Sequence, residues 1–101
     1  MVVIPAYNEA GRIGSVVRAV RGAVPQARIV VIDDGSADTT ASEARDAGAE
    51  VISLPVNLGY GSALQTAYLF ARAEGVERLV QLDADGQHEP LHIVDLLAVT
   101  P

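Results

Sequence analysis

The sequence predicts an α/β fold with a mostly parallel four-stranded sheet and helices on both faces. Short apolar runs rich in β-branched residues alternate with segments whose apolar residues recur at helical spacing. The connections between these segments are short, and two of the apolar runs end in pairs of acidic residues. Strands and helices that alternate in this way form parallel sheets joined by right-handed crossovers.

Four apolar runs are predicted to be strands, and they lie at 1–4, 29–32, 51–54 and 79–82. The second run, Ile29-Val30-Val31-Ile32, is continuously β-branched, which is typical of a strand covered on both faces. Pro5 and Pro55 follow the first and third runs. Because proline lacks the backbone N–H, each is expected to end its strand.

The segments between these runs are predicted to be helices. The first has Asn8 before it as a candidate N-cap, and its apolar face is formed by Ile13, Val16, Val17, Val20 and Val24. A short second helix ends before Gly48, and a third, over 59–74, ends before Gly75. A fourth helix is predicted over 91–99, with Pro90 in its first turn.

Composition limits the possible functions. The chain has 101 residues, a formal net charge of −6 and no cysteine. The acidic balance argues against nucleic acid as a partner, and without cysteine there is no disulfide framework or thiolate metal site. No apolar stretch has the length of a transmembrane segment. The chain begins within a predicted strand and ends with a predicted helix, so we expect a domain truncated at both ends.

The carboxyl ends of parallel strands meet at one edge of a sheet, where α/β proteins bind their ligands. Asp83 and Asp85 follow the fourth strand and could share a divalent cation, Mg²⁺ or Mn²⁺, that also binds a diphosphate. The amide oxygen of Gln87 would add a further hard ligand. The alternative is an Asx-type turn with solvated acids. The segments expected to cluster at this edge are 5–9, 33–38, 55–61 and 83–87.

A second acidic pair, Asp33-Asp34, ends the second strand. Adjacent side chains project to opposite sides, so one carboxylate would face a ligand and accept hydrogen bonds from a base or ribose. Gly35 would then give the ligand backbone clearance, and the ring of Tyr7 could stack on a heterocycle. The alternative is an ordinary acidic turn before a helix.

Gly59 and Gly61 open the third helix, where bare backbone amides attract phosphate. Their spacing also fits an alternative function, an NAD(P)-binding oxidoreductase module with Asp83 as the acid that binds ribose. That interpretation lacks the third glycine of the dinucleotide fingerprint. It also leaves Tyr7, Asp34 and Asp85 without a role.

Four motifs occur in order along nearly the whole chain. Together they resemble the nucleotide-binding half of a family 2 glycosyltransferase, which has the Rossmann-like GT-A fold. Within that family they are most similar to polyprenyl-phosphate (dolichyl-phosphate) mannosyl- or glucosyltransferases. The motifs are Val-Ile-Pro-Ala-Tyr-Asn-Glu at 3–9, Val-Ile-Asp-Asp-Gly-Ser at 31–36, Asn-Leu-Gly-Tyr-Gly-Ser-Ala at 57–63, and Leu-Asp-Ala-Asp-Gly-Gln-His at 82–88.

The resemblance implies that residues 1–101 are the N-terminal, nucleotide-sugar-binding part of an inverting, metal-dependent hexosyltransferase. The donor would be a GDP- or UDP-hexose and the acceptor a polyprenyl phosphate, used at the cytoplasmic face of the membrane. The implied catalytic base lies beyond Pro101, so an inactive nucleotide-binding fragment is a further alternative. The implied nucleotide-binding residues are Pro5, Tyr7, Glu9, Asp34 and Asp83, and the implied metal ligands are Asp83, Asp85 and Gln87.

Overall fold

The computed structural model describes residues 1–84 and 92–95. Helices and strands alternate along this part of the chain, as the sequence predicts. In chain order the elements are β1 (Val2–Ala6), α1 (Ile13–Ala23), β2 (Ile29–Asp33), α2 (Thr40–Asp46), β3 (Glu50–Ser53), α3 (Tyr60–Ala73), β4 (Arg78–Gln81) and β5 (His92–Asp95).

The strands form one sheet in the order β3-β2-β1-β4-β5. The four strands predicted from the sequence are mutually parallel, in agreement with the prediction. The expectation that Pro5 ends the first strand is wrong, because Pro5 lies within β1 and pairs in register with Ile32 of β2. Its missing N–H costs no ladder bond to β4, since the pairing of β1 with β4 stops at Val3.

The fifth strand is antiparallel to β4, with Leu79 opposite Val94. The helix predicted over 91–99 is therefore wrong at 92–95. A strand here pairs the backbone of β4, which would otherwise present unpaired amides and carbonyls at the sheet edge.

Helices cover both faces of the sheet, as predicted. Residues of β1 alternate between these faces, so Ile4 packs with Ile13 and Val17 of α1, whereas Val3 packs on the α3 side. The core on the α3 side contains three alanines one helical turn apart, which are 0–1% exposed. Such small side chains let α3 lie close against the sheet. These alanines are Ala63, Ala67 and Ala71.

Arg28 joins three elements at the edge of the sheet opposite the carboxyl ends of the parallel strands. Its guanidinium lies 2.7 Å from a carboxylate oxygen of Glu50 and 3.0 Å from one of Glu74, and it sits over the ring of Phe70 at 5.5 Å. The hydrogen bonds from Arg28 lower the pKa of Glu50, and those to the two acids raise the pKa of Arg28. These contacts fix the ends of β3 and α3 without taking part in the site described next.

Candidate functional site

A cavity of about 400 Å³ opens at the carboxyl edge of the sheet. All five residues expected to contact a nucleotide lie in its wall, namely Pro5, Tyr7, Glu9, Asp34 and Asp83. Of the three expected metal ligands, Asp83 lines the cavity, whereas Asp85 and Gln87 lie outside the described residues. The topology thus gathers side chains that are up to 78 positions apart in the sequence, as the carboxyl-edge argument predicts.

Asp34 holds the loop that leads into α3. Its side chain is buried, and its Oδ1 and Oδ2 accept the backbone amides of Leu58 at 2.8 Å and Gly59 at 2.9 Å. Hydrogen bonds to a charged acceptor are stronger than neutral ones, so this carboxylate fixes the path of the loop. The Gly59 amide was expected to be available for phosphate. The structure corrects this expectation, since that amide already donates to Asp34.

Asp33 and Asp34 have different environments, as expected for adjacent residues. Oδ1 of Asp33 accepts the amide of Ser36, three residues on, at 3.1 Å, and Asp34 alone of the pair lines the cavity. Gly35 has a φ of +72°, and a Cβ atom on it would lie 2.3 Å from the carbonyl carbon of Val56. The space beside Gly35 that was expected to admit a ligand is therefore filled by the backbone of Val56 and Asn57.

The loop after β1 is bound to the segment that leads into α2. Four successive backbone amides of this loop each donate to a different side chain of residues 36–43. The two segments therefore form one hydrogen-bonded unit, which includes Glu9 of the cavity wall. The pairs are Asn8 with Ser36 Oγ (2.8 Å), Glu9 with Thr40 Oγ1 (2.9 Å), Ala10 with Asp38 Oδ2 (3.2 Å) and Gly11 with Glu43 Oε1 (2.7 Å).

Asn8 belongs to this unit and does not cap α1. Its backbone is left-handed, with a φ of +52°, and its Oδ1 accepts the amide of Ala37 at 3.0 Å. The first helix starts later than predicted, at Ile13, with Arg12 in the N-cap position. The N-cap predicted at Asn8 is therefore wrong, because the side chain binds a neighbouring loop instead of its own helix.

Two acids of this unit are held in the charged form. A hydrogen bond from the Thr40 hydroxyl is the main cause of a lowered pKa at Asp38. The pKa of Glu43 is lowered by the Thr39 hydroxyl and by the Gly11 amide. Both carboxylates therefore remain ionised acceptors for the loop amides at neutral pH.

Tyr7 and Glu9 occupy the wall of the cavity formed by the loop after β1. The Tyr7 side chain is 46% exposed, so one part of the ring is open to a ligand. The Glu9 side chain is largely buried, and its Oε2 lies 2.6 Å from Nη2 of Arg12. The positive charge of Arg12 therefore balances the negative charge that Glu9 brings to the cavity wall.

Tyr60 and Gln81 were not among the site residues predicted from the sequence. The Tyr60 hydroxyl donates to Oδ1 of Asp83 at 3.1 Å, and the side-chain amide of Gln81 donates to the oxygen of the same hydroxyl. A signal was present for each residue. Tyr60 stands between the two glycines that open α3, and Gln81 is a polar side chain within an otherwise apolar strand.

Among residues 1–84 and the backbone of 92–95, no group of three or more histidine, cysteine, aspartate or glutamate side chains could hold a metal ion. Within the same part of the chain, every helix is too short or too polar to cross a bilayer.

The sequence is similar to those of curated enzymes. It is 34% identical over 103 residues to the polyprenol monophosphomannose synthase of Mycolicibacterium smegmatis, covering 96% of this chain and 39% of the relative. It is 31% identical over 102 residues to the undecaprenyl-phosphate mannosyltransferase of Micrococcus luteus, covering 96% of this chain and 42% of that enzyme. The chain thus spans about two fifths of the length of these relatives.

The fold is similar to that of a solved GT-A enzyme. The glucosyl-3-phosphoglycerate synthase of Mycobacterium tuberculosis, in complex with Mg²⁺ and uridine diphosphate, matches with a TM-score of 0.70 at 33% identity. The match covers 83% of this chain and 32% of the synthase. The same enzyme in complex with Mn²⁺, UDP-glucose and phosphoglyceric acid matches with a TM-score of 0.68.

The Rossmann-like GT-A fold expected from the sequence motifs is therefore confirmed, and the sequence also matches a family model. That model, Glycosyl transferase family 2, covers residues 1–99. It favours the glycosyltransferase interpretation over the oxidoreductase module, and the chain belongs to glycosyltransferase family 2.

Proposed function

We propose that residues 1–101 form the donor side of a metal-dependent hexosyltransferase that moves a hexose from a GDP- or UDP-hexose to a polyprenyl phosphate with inversion. The observation that carries the proposal is the convergence of five side chains from separate motifs on one cavity. At about 400 Å³ its volume lies in the range of small-molecule sites, roughly 300–1,000 Å³. Membership of the family and the transferases among its relatives support the reaction class.

The nucleotide would lie along the walls formed by the loops after β1 and β2. The half-exposed ring of Tyr7 can stack on a base, beside Pro5 and Glu9. A carboxylate has about four lone-pair positions. Asp34 uses two of them for the amides of the loop before α3, so the others can accept a hydrogen bond from a base or ribose.

We assign a divalent cation to Asp83, Asp85 and Gln87. Carboxylate and amide oxygens are the ligands that Mg²⁺ and Mn²⁺ prefer, and the Asp83 carboxylate lies in the cavity wall where a diphosphate would reach it. The Mg²⁺ and Mn²⁺ in the complexes of the solved relative support this choice. When bound, such a cation stabilises negative charge on the departing nucleoside diphosphate.

The acceptor proposal follows from the relatives that use polyprenyl phosphates. A phosphate acceptor is already ionised at neutral pH, so it needs little help from a general base. Its attack from the face opposite the leaving group inverts the anomeric centre. A lipid acceptor would hold the enzyme at the cytoplasmic face of a membrane as a peripheral protein.

Calorimetric binding of UDP and GDP, with and without Mn²⁺, tests the donor side. We expect Mn²⁺ to raise the nucleotide affinity of the parent protein at least tenfold. The nucleotide affinity of Asp85→Ala should not change when Mn²⁺ is added. Asp46→Ala, at an exposed position at the end of α2, is the matched control and should behave as the parent. If UDP and GDP bind equally well to the parent and to Asp85→Ala, with and without Mn²⁺, the assignment of a metal is wrong. Tight NADH binding without metal would instead favour the oxidoreductase module.

Transfer of a labelled hexose from its nucleotide to undecaprenyl phosphate tests the reaction itself. Product with the inverted anomeric configuration, formed in the presence of Mn²⁺, would show that residues 1–101 suffice for transfer. Donor binding without transfer would overturn the proposed activity for this chain and identify an inactive nucleotide-binding fragment.

A further inference from the structure

We infer that Tyr60 is a positioning residue for Asp83, and that Gln81 holds the Tyr60 hydroxyl oxygen so that its proton points to Asp83. This inference rests on the proposed function, because it concerns the carboxylate that we assign to the donor diphosphate and its cation. Tyr60 and Asp83 both line the cavity, and the tyrosine hydroxyl lies 3.1 Å from Oδ1 of Asp83.

The chemistry of the three side chains fixes the donor and the acceptor in each of the two hydrogen bonds, from Gln81 to Tyr60 and from Tyr60 to Asp83. The NH₂ group of the glutamine side chain can only donate, so its contact with Tyr60 requires the tyrosine oxygen to accept. A tyrosine hydroxyl carries a single proton. With its oxygen occupied by the Gln81 donor, that proton is directed to the Asp83 carboxylate, which can only accept when ionised.

The first donor of these two hydrogen bonds, Gln81, is a buried residue at the end of β4. Gln81 is 6% exposed and pairs in register with Val3 of β1. A buried polar side chain is costly unless it is hydrogen-bonded, so its amide has a strong reason to keep the tyrosine contact. Tyr60 is 52% exposed, but its hydroxyl is bound by the buried side chain of Gln81.

The backbone of Tyr60 is held from the other side of the cavity. The preceding residue, Gly59, donates its amide to Asp34 at the end of β2. A two-residue segment, Gly59-Tyr60, thus connects the acid after β2 with the acid after β4. Any displacement of this segment would change the orientation of Asp83.

Orientation matters because a carboxylate at a strand end can rotate about its terminal torsion. A hydrogen bond to Oδ1 restricts that rotation, so Oδ2 is presented in one direction before a ligand arrives. Groups that orient metal-binding carboxylates commonly change metal affinity by about 10–100-fold when removed. The lower end of this range is expected here, because Tyr60 is half exposed and water can replace its hydroxyl.

The test is the Tyr60→Phe variant, which removes the hydroxyl and keeps the ring. Tyr68→Phe, on the same helix and packed against the core on the α3 side, is the matched control. UDP affinity is measured with and without Mn²⁺, and Mn²⁺ binding to the protein–UDP complex is followed by electron paramagnetic resonance. Thermal unfolding is recorded for every variant.

We expect Tyr60→Phe to lower the increase in UDP affinity that Mn²⁺ causes by about tenfold, and to weaken Mn²⁺ binding equally. Because Tyr60 and Asp83 both line the cavity, metal-free UDP affinity should also fall, but by less than the affinity measured with Mn²⁺, and the Tm should be unchanged. A merely structural role would instead lower the Tm and lower UDP affinity equally with and without Mn²⁺, which would overturn the inference. Tyr68→Phe should keep the full effect of Mn²⁺.

Gln81→Met gives a second measurement, since it removes the donor at similar side-chain length. The Tyr60 hydroxyl can then rotate, so a smaller loss of Mn²⁺ affinity in the same direction is expected. If the parent shows no dependence on Mn²⁺, the proposed function fails. If the parent shows it and Tyr60→Phe retains all of it, the inference is wrong and the proposed function stands.

Discussion

Oδ2 of Asp34 accepts the backbone amide of Gly59 at 2.9 Å, across 25 positions of sequence. Together with the bond from Leu58 to Oδ1, this contact joins the end of β2 to the start of α3. The acid expected to hold a nucleotide is therefore also the acid that shapes the opposite wall of the cavity.

We expect Asp34→Asn to lower the free energy of unfolding by about 1.5–3 kcal/mol, because an amide side chain cannot accept both backbone amides and brings its own donor towards one of them. Urea denaturation measures the loss. Hydrogen exchange of the Leu58 and Gly59 amides should also accelerate in the variant. Asp46→Asn, at an exposed position, is the control and should change neither quantity. Unchanged exchange at both amides would contradict the assigned contacts.

Gly35→Ala should be strongly destabilising, by about 2–5 kcal/mol, because it combines a left-handed backbone with a steric clash. The new Cβ would lie 2.3 Å and 2.4 Å from backbone atoms of Val56 and Asn57, which cannot move as a flexible side chain can. Gly48→Ala is the matched control, since Gly48 also has a positive φ but has no atom within 4 Å of its Cβ position. Its cost should be about 1–2 kcal/mol. Equal losses for the two variants in urea denaturation would disprove the clash.

Ala67→Leu tests the close approach of α3 to the sheet. Ala67 is fully buried against the core, so a larger side chain should cost about 1–3 kcal/mol through forced displacement of its neighbours. Ala73→Leu makes the same change at the exposed end of the helix and should alter stability by less than about 0.5 kcal/mol. The comparison requires only urea denaturation of the three proteins.

Stability should fall in acid because the pKa values of Asp38, Glu43 and Glu50 are lowered in the folded protein. Their folded-state pKa values lie below the ordinary 3.8 for aspartate and 4.5 for glutamate, so the unfolded chain binds more protons in this range. The contribution of each acid is fully present above its ordinary pKa and is lost as the pH falls through the folded value. We expect a nearly constant free energy of unfolding from about pH 7 to 5.5 and a decline below about pH 4.5.

Glu43→Gln should flatten this decline, whereas Glu77→Gln, at an exposed position after α3, should not. Urea denaturation between about pH 7 and 3 measures both slopes. An identical decline in the parent and in Glu43→Gln would show that Glu43 does not contribute to it.

The sequence predicted the four parallel strands because each is a short apolar run followed by a proline or an acid, although Pro5 continues β1 instead of ending it. It also predicted which residues meet at the cavity, since parallel topology alone brings Pro5, Asp34 and Asp83 to the same edge. The error at 92–95 has a different origin. A short segment with few apolar residues fits the spacing of a helix as well as that of a strand. The strand forms because its backbone pairs with that of β4.

The contacts within the site were beyond sequence reasoning for a physical reason. Side-chain patterns indicate which face of an element is buried, but they do not give the direction in which a loop amide points. The hydrogen bonds that Asp34 accepts from the loop before α3 depend on the positive φ of Gly59. The contact between Tyr60 and Asp83 depends in turn on that same loop.

The ladder of amides from Asn8 to Gly11, each bound to a side chain of residues 36–43, has a consequence for protein engineering. A graft of the first motif alone from another family member would separate donors from their acceptors. Chimeras meant to alter substrate preference should therefore exchange both segments as a matched pair.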